Sequence, residues 1–395
     1  MMATDWQLPP WLSPPGDRHP PVHTAAEPRV LQLSTRRIDP LVAYAILYEY
    51  EDVLLSSAPT TRLLPSSRSA LEHQRRLYKL VRRLGGSRRL AQRILPDCGQ
   101  TIPAGEYDLA IATLSNAWNL HLTQAVTDWR SQVGFAVCYI FEAWASELPD
   151  DYLMELLDPF DHVFVGLSHA VEPIARRSGK PCSYLPLAAD VLRFAPHHPD
   201  QDRSIDVCNI GRRSDVTHAA FQALVRERGI FYYYDTAVTP RGSVGFTVTS
   251  PADHRNLYAN LLMRSRYFIA NRAKISDPRV GHIHEIPARF YEGIAAGTIL
   301  VGEPPDTVPF REQFHWPSAL VTMPFDHDRP LDTLAALEGD DGVRRTLSRT
   351  NVRQAAQHHD WLHRIERIFD VAGLAPTAAM RARRERLELV CRAFT

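Results

Sequence analysis

Short apolar runs that alternate with helix-like segments constrain this chain most. RVLQLS, YDLAIATLS, GFAVCYIFE, DHVFVG and KPCSYLPLA lie in the first half; SIDVCNIG, IFYYYD, RYFIA, TILVG and VTMPFD lie in the second. They have the length of strands, and they lack the alternation of a strand with one solvated face. Strands that are apolar on both faces belong in parallel sheets, where successive strands are joined by crossovers, usually helices. HAVEPIARRSG, HAAFQALVRERG and HRNLYANLLMRS supply such crossovers, and the first two close on a glycine. The pattern predicts an α/β chain made of two doubly wound, Rossmann-like domains in series.

A length of 395 residues suits two such cores. Residues 1 to 27 are rich in Pro and His and read as a flexible N-terminal arm. The first domain is expected over 28 to 187. A loose, proline-marked linker follows over 188 to 204, then the second domain over 205 to 375 and a C-terminal helix over 376 to 395. The formal net charge is zero, so no global field attracts nucleic acid, and no nucleic-acid partner is expected. Five scattered cysteines without a CxxC pair fit reduced thiols. No apolar run reaches the roughly 18 residues of a membrane span, and the N-terminus lacks a signal-peptide core. The expected location is cytoplasmic. The basic helical stretch from Arg68 to Ile94 offers peripheral contact with an anionic membrane or, more simply, a solvated face.

In open parallel sheets, ligands bind beyond the carboxyl ends of the strands. The polar residues just after each expected strand are therefore the candidates. In the first domain they are Ser34, Arg36 and Arg37; Asn116 and Trp118; Glu142 and Trp144; Ser168 and His169. In the second they are Gly211, Arg212 and Arg213; Asp235 and Thr236; Asn271, Arg272 and Lys274; Glu303 and Asp306. The second set is strongly cationic. Two sheets facing each other through such rims enclose a cleft fit for a small molecule.

HEIPARFYEGIAAGTILVGEP, residues 284 to 304, reads as a helix that stops on Gly297 and feeds a strand. Pro287 suits its first turn. A helix N-terminus with Arg289 beside it can hold phosphate. Glu292, a turn further on, can accept hydrogen bonds from neighbouring hydroxyls. The plainer alternative is an Arg289–Glu292 pair on an exposed face.

PARFYEGIAAGTILVG resembles the signature segment of group 1 glycosyltransferases of the GT-B fold, roughly R-F-x-E-x-x-A-x-G followed by a strand. NIGRR, residues 209 to 213, resembles the Gly-Arg turn that opens their nucleotide-binding domain. The likeness covers about residues 205 to 372. It implies a GT-B-like fold, with the two domains facing across a cleft, and metal-independent transfer of a sugar from a nucleotide-diphosphate sugar such as a UDP-sugar. The acceptor would be a glycan, a lipid-linked acceptor or a small molecule, and no cofactor is implied. Glu292 would take the ribose hydroxyls; Gly211, Arg212, Arg213, Lys274 and Arg289 would hold the diphosphate; Asp235 and Thr236 would contact the base or simply end a strand. In many members a second glutamate stands eight residues before the helical one. Here that position is His284, with Glu285 next to it, and either could face the sugar.

On the acceptor side, Glu142 is the first candidate for a base that takes the acceptor proton if the reaction inverts the anomeric centre; if it retains it, no base is required and Glu142 is an acceptor contact. Arg36, Asn116, Trp118 and Trp144 would contact the acceptor. A nucleotide-sugar hydrolase or epimerase of the same fold, or a non-catalytic sugar- or protein-binding relative, are the alternative readings. His359 and His363 are four apart, but Asp360 stands where a zinc motif has its general-base Glu and there is no obvious third ligand, so no metal is expected.

Overall fold

The computed structural model describes residues 27–65, 68–87, 90, 102–103, 105–124, 126, 128–236 and 247–395. The expected N-terminal arm lies, but for Glu27, outside these residues, as does most of the basic stretch beyond Ser87.

The first unit contains β1 (Val30–Ser34), α1 (Ala45–Ser57), β2 (Thr60–Leu63), α2 (Arg68–Arg83), β3 (Tyr107–Asn116), β4 (Val133–Glu142), β5 (His162–Val165), α3 (Val171–Ser178) and β6 (Cys182–Tyr184). Its six strands are all parallel, in the order β2-β1-β3-β4-β5-β6. The second unit contains β7 (Ile205–Asn209), α5 (Asp215–Arg228), β8 (Tyr232–Tyr234), α6 (Pro251–Met263), β9 (Ser265–Ile269), α7 (Ala288–Ala295), β10 (Ile299–Gly302) and β11 (Val321–Thr322). Its five strands are also all parallel, in the order β11-β10-β9-β7-β8. In both sheets the second strand pairs outward and the third returns to the other side of the first. The strand order thus reverses between β1 and β3 and between β7 and β9. Such switch points open a crevice at the carboxyl ends of the strands.

Local sequence explains the helices that frame these crevices. Ser214 caps α5 by accepting from the Thr217 amide, and Gly229 ends it in the left-handed region at φ 68°. Ser250 caps α6 in the same way, with Pro251 in its first turn.

The ten strands expected from sequence are present. The sequence reading passed over α1 and β2. Helix α1 is buried almost all round, including Tyr48, Tyr50 and Leu54, so it shows little amphipathic signal.

The expected linker is a correction. Ala188, Ala189, Val191 and Phe194 are fully buried, and α4 (Val191–Phe194) lies within the segment. Ala189 donates to His359 O at 3.0 Å, and Trp361 donates back to Ala189 O at 3.2 Å. The crossing between the units is therefore a packed hinge, because its apolar side chains join one core that runs through both units.

After β11 come α8 (Asp341–His358), α9 (Trp361–Val371) and α10 (Ala378–Ala393). The C-terminal helix α10 returns to the first unit: Thr377 Oγ1 donates to Ser57 O, and Arg383 bridges Asp190 and Asp360. No helix of the described residues is long and apolar enough to cross a membrane. Along α2, Arg82 donates to Glu155 and Lys79 sits 3.7 Å from Asp150, so part of its basic face turns back onto its own domain.

Candidate functional site in the interdomain cleft

Helices α1, α6 and α7 are the crossovers that follow β1, β8 and β9. At the end of β7 the chain turns through Gly211 at φ 88°, a region that favours glycine. The Arg289 guanidinium, from the first turn of α7, lies directly against the α-carbon of Gly211. Among the described residues Arg289 makes no ion pair or hydrogen bond. The alternative Arg289–Glu292 pair does not form among the described residues.

The neighbouring cations differ in how far they are engaged. Arg213 donates to the backbone O of Asp235 at 2.7 Å and to its carboxylate, and it lies over the Tyr234 ring. Asp235 also accepts from the Gly211 amide at 3.1 Å. Arg213 and Asp235 thus brace the turn together. Arg212 is 39% exposed and makes only long contacts, to Ser276 Oγ at 3.5 Å and Asp277 at 4.0 Å. Thr236 is exposed, and the ten residues after it lie outside the described ones.

Lys274, expected in a diphosphate clamp, is engaged across the cleft. It sits in the left-handed region at φ 50° and reaches across the cleft to the first domain. Its Nζ lies 3.2 Å from Glu147, 3.6 Å from Glu142 and 4.3 Å from the centre of the Trp144 ring. Glu142 also accepts from Trp144 Nε1 at 2.8 Å. The structure thus brings Glu142, Trp144 and Lys274 together as one cross-domain cluster.

Glu292 lies a turn below Arg289, at the floor of the cleft, with 3% exposure. Its carboxylate accepts from Arg255 Nη1, on α6. Arg255 in turn donates to Glu49, on α1 of the other domain, through Nε at 2.8 Å and Nη2 at 3.2 Å. Burial opposes the charge on Arg255, but the Glu49 and Glu292 carboxylates outweigh it and raise the guanidinium above its ordinary range. Burial, then the negative charge of Glu292, push the Tyr258 phenol well up.

The two candidates for the earlier acid are placed elsewhere. Glu285 is 2% exposed and accepts from Ser168 Oγ, the His169 amide and His169 Nδ1, at 2.8, 2.8 and 2.7 Å. The Ala145 amide donates to His169 Nε2 at 3.2 Å, so the His169 proton sits on Nδ1. Glu285 is therefore a buried tie between the domains, held through Oε1 alone. His284 accepts from the Asp306 amide at 3.1 Å; burial and nearby Arg272 lower its pKa.

On the acceptor side, Arg36 is already engaged. It donates to Glu51, Asp52 and Tyr48 O, inside its own domain. Asn116 holds the Trp118 amide at 3.0 Å, and Trp118 Nε1 donates to Glu147 O at 3.0 Å, leaving a ring that is 37% exposed. Asp39, which the sequence reading missed, accepts from Ser115 and Asn119 at the β1/β3 switch point. Tyr44 lies beside it; burial, and then Glu142, push its phenol up.

Also missed were Glu49 and Arg255. Glu49 had a legible signal, an acid inside the apolar run AILYEYEDVLL. Among the described residues no group of three His, Cys, Asp or Glu is placed to hold a metal ion. A cavity lined by Arg203, Arg266, Gly297, Arg344 and Ser348 opens at the amino ends of β9 and β10. That is the opposite end of the sheet from the switch points, so the rim is the better candidate site.

No protein-family model matches the sequence, and no curated protein matches it. Solved structures do match by fold. An alpha-glucosyltransferase in complex with UDP and a 13-mer DNA aligns over 88% of this chain and 100% of its own, with 10% identity and a TM-score of 0.50. The Gap123 complex of Streptococcus agalactiae aligns over 73% of this chain and 55% of its own, with 12% identity and a TM-score of 0.36. TarM of S. aureus, with Fondaparinux, alpha-GlcNAc-glycerol and UDP, aligns over 67% and 55%, with 10% identity and a TM-score of 0.42. This chain spans about half the length of the last two. The likeness shows the fold: two doubly wound α/β domains in the GT-B-like arrangement.

Proposed function

We propose that this chain is a glycosyltransferase that takes a sugar from a nucleotide-diphosphate donor. The observation that carries this reading is the Arg289 guanidinium, which has no hydrogen-bond or ion-pair partner among the described residues and rests on the Gly211 turn at the N-terminus of α7. A guanidinium beside the free amides of a helix start is suited to a diphosphate. Arg212, with its long and exposed contacts, is the second cation available for the same group.

In this reading the bond from the anomeric carbon to the diphosphate oxygen breaks, and a bond to the acceptor oxygen forms. Arg289 and Arg212 stabilise the charge that collects on the departing diphosphate. The acceptor proton passes to a carboxylate at the rim of the first domain. Glu142 keeps one oxygen beyond its bonds to Trp144 and Lys274, and is the candidate. Glu292 takes the ribose hydroxyls, and the acceptor, a hydroxyl-bearing glycan, lipid-linked or small molecule, sits against Asn116 and Trp118.

The experiment is calorimetry of the full chain with uridine, guanosine and thymidine diphosphates, followed by release of nucleotide from the matching sugar donors. One diphosphate should bind, and Arg289→Gln should weaken it by about tenfold or more, the worth of a lost charge-assisted hydrogen bond. No binding by any of the three would overturn the reading.

A further inference from the structure

We propose that Arg255, held by Glu49, is the positioning residue that aims Glu292 at the ribose of the donor. The proposal rests on the donor reading above and deepens it.

Glu49 and Glu292 are unequally hydrogen-bonded. Glu49 is saturated: it accepts from Arg255 Nε and Nη2, from the Asp190 amide at 2.9 Å and from Trp361 Nε1 at 3.2 Å. Arg193 adds charge at 3.6 Å. Glu292, by contrast, accepts from Arg255 alone among the described residues. Its second oxygen has no hydrogen bond, and it is not one of the sealed, partnerless atoms of the interior. The side chain keeps 4% of its surface. A carboxylate can accept about four hydrogen bonds, so a buried one that makes a single contact has capacity to spare. That capacity lies one helical turn on from Arg289.

Arg255 is rigid enough to aim its partner. Its guanidinium lies 4.8 Å from the Phe194 ring and 5.5 Å from the Tyr258 ring, and three of its donor bonds are fixed. The planar fork meets Glu49 with two nitrogens and leaves Nη1 for one oxygen of Glu292. Fixing one oxygen fixes the plane of the carboxylate, and so the direction in which the other presents its lone pairs. The donor half of the cleft is thus completed from the other domain: Glu49 sits 206 residues before Arg255 in sequence.

The test separates a ribose-directed role from general scaffolding. Three ligands are titrated by calorimetry: the nucleoside diphosphate that binds the wild-type chain, its 2′-deoxy counterpart, and inorganic pyrophosphate. The variants are Glu49→Gln, Arg255→Lys, Arg255→Met, Glu292→Gln and the pair Arg255→Met/Glu292→Gln. Wild type should prefer the ribose form over the deoxy form by about tenfold, as a site built around a hydroxyl does. Glu49→Gln and Arg255→Met should abolish most of that preference while leaving pyrophosphate affinity within about twofold. Arg255→Lys should keep part of it, and the paired variant should lose no more than Glu292→Gln alone.

Equal loss for pyrophosphate and nucleotide would overturn the proposal, because it marks a purely structural role. So would an unchanged ribose preference in Glu49→Gln, which keeps side-chain shape and decides the matter even if Arg255→Met fails to fold. Failure of wild type to bind any nucleotide overturns the donor reading itself, and the proposal with it; that outcome is told apart by the wild-type titration.

Discussion

The Arg289 guanidinium covers the α-carbon of Gly211, so closely that a methyl group there would collide with it. The contact joins the first turn of α7 to the turn after β7. It also explains why glycine stands at 211: the backbone is left-handed there, and the space above it belongs to an arginine.

Gly211→Ala should therefore be doubly unfavourable. The φ of 88° strains an L side chain, and the new methyl displaces Arg289. We expect about 1–2 kcal/mol lower stability by denaturant titration. Nucleotide affinity should fall by about tenfold or more, as a charge-assisted phosphate contact is lost. Unchanged affinity would mean that Arg289 does not serve the donor.

Lys274 and Glu147 meet across the cleft, with Glu147 41% exposed. Solvent screens such a pair, so its coupling should be only about 0.5–1 kcal/mol in a double-mutant cycle of Lys274→Met and Glu147→Gln. The larger effect should be on shape. Losing this tie should widen the cleft, seen as a larger radius of gyration in solution scattering.

His121 predicts an acid-side loss of stability. Burial lowers its imidazole to about 4, despite the hydrogen bond to Trp118 O at 2.7 Å. The folded chain keeps the ring neutral while the unfolded chain protonates it near the ordinary 6.5. The contribution is thus complete above 6.5 and disappears as pH falls through 4. Between pH 7 and 4, wild type should lose on the order of 3 kcal/mol relative to His121→Gln.

Glu51 has the opposite sign. Burial pushes its carboxyl up to about 6, against the pull of Arg62 and Arg36, and Oε1 has no partner. The folded chain holds a proton that the unfolded chain releases near 4.5. Its contribution is present below 4.5 and is lost as pH rises through 6. Glu51→Gln should gain on wild type by on the order of 2 kcal/mol between pH 4.5 and 8, in paired denaturation curves.

The sequence by itself determined the layered architecture. The apolar runs marked ten strands, because a strand covered on both faces must be apolar throughout. It also identified the rims, where Gly211, Arg212, Arg289, Asn116 and Glu142 stand, because residues after parallel strands face the crevice whatever the loops do. It did not reveal α1, whose all-round burial erases the helical stripe, nor the packing of residues 188 to 195.

Which charges are spent and which are free was decided only by the tertiary structure. Arg36, Arg213, Lys274 and Glu285 looked as available as Arg289 in the sequence, yet each is held by a partner far along the chain. Ion pairing depends on distances of a few ångströms between side chains, and local sequence does not encode those distances. Arg255 meets Glu49 and Glu292 because three helices converge where the domains close on each other. That convergence is a property of the packed fold.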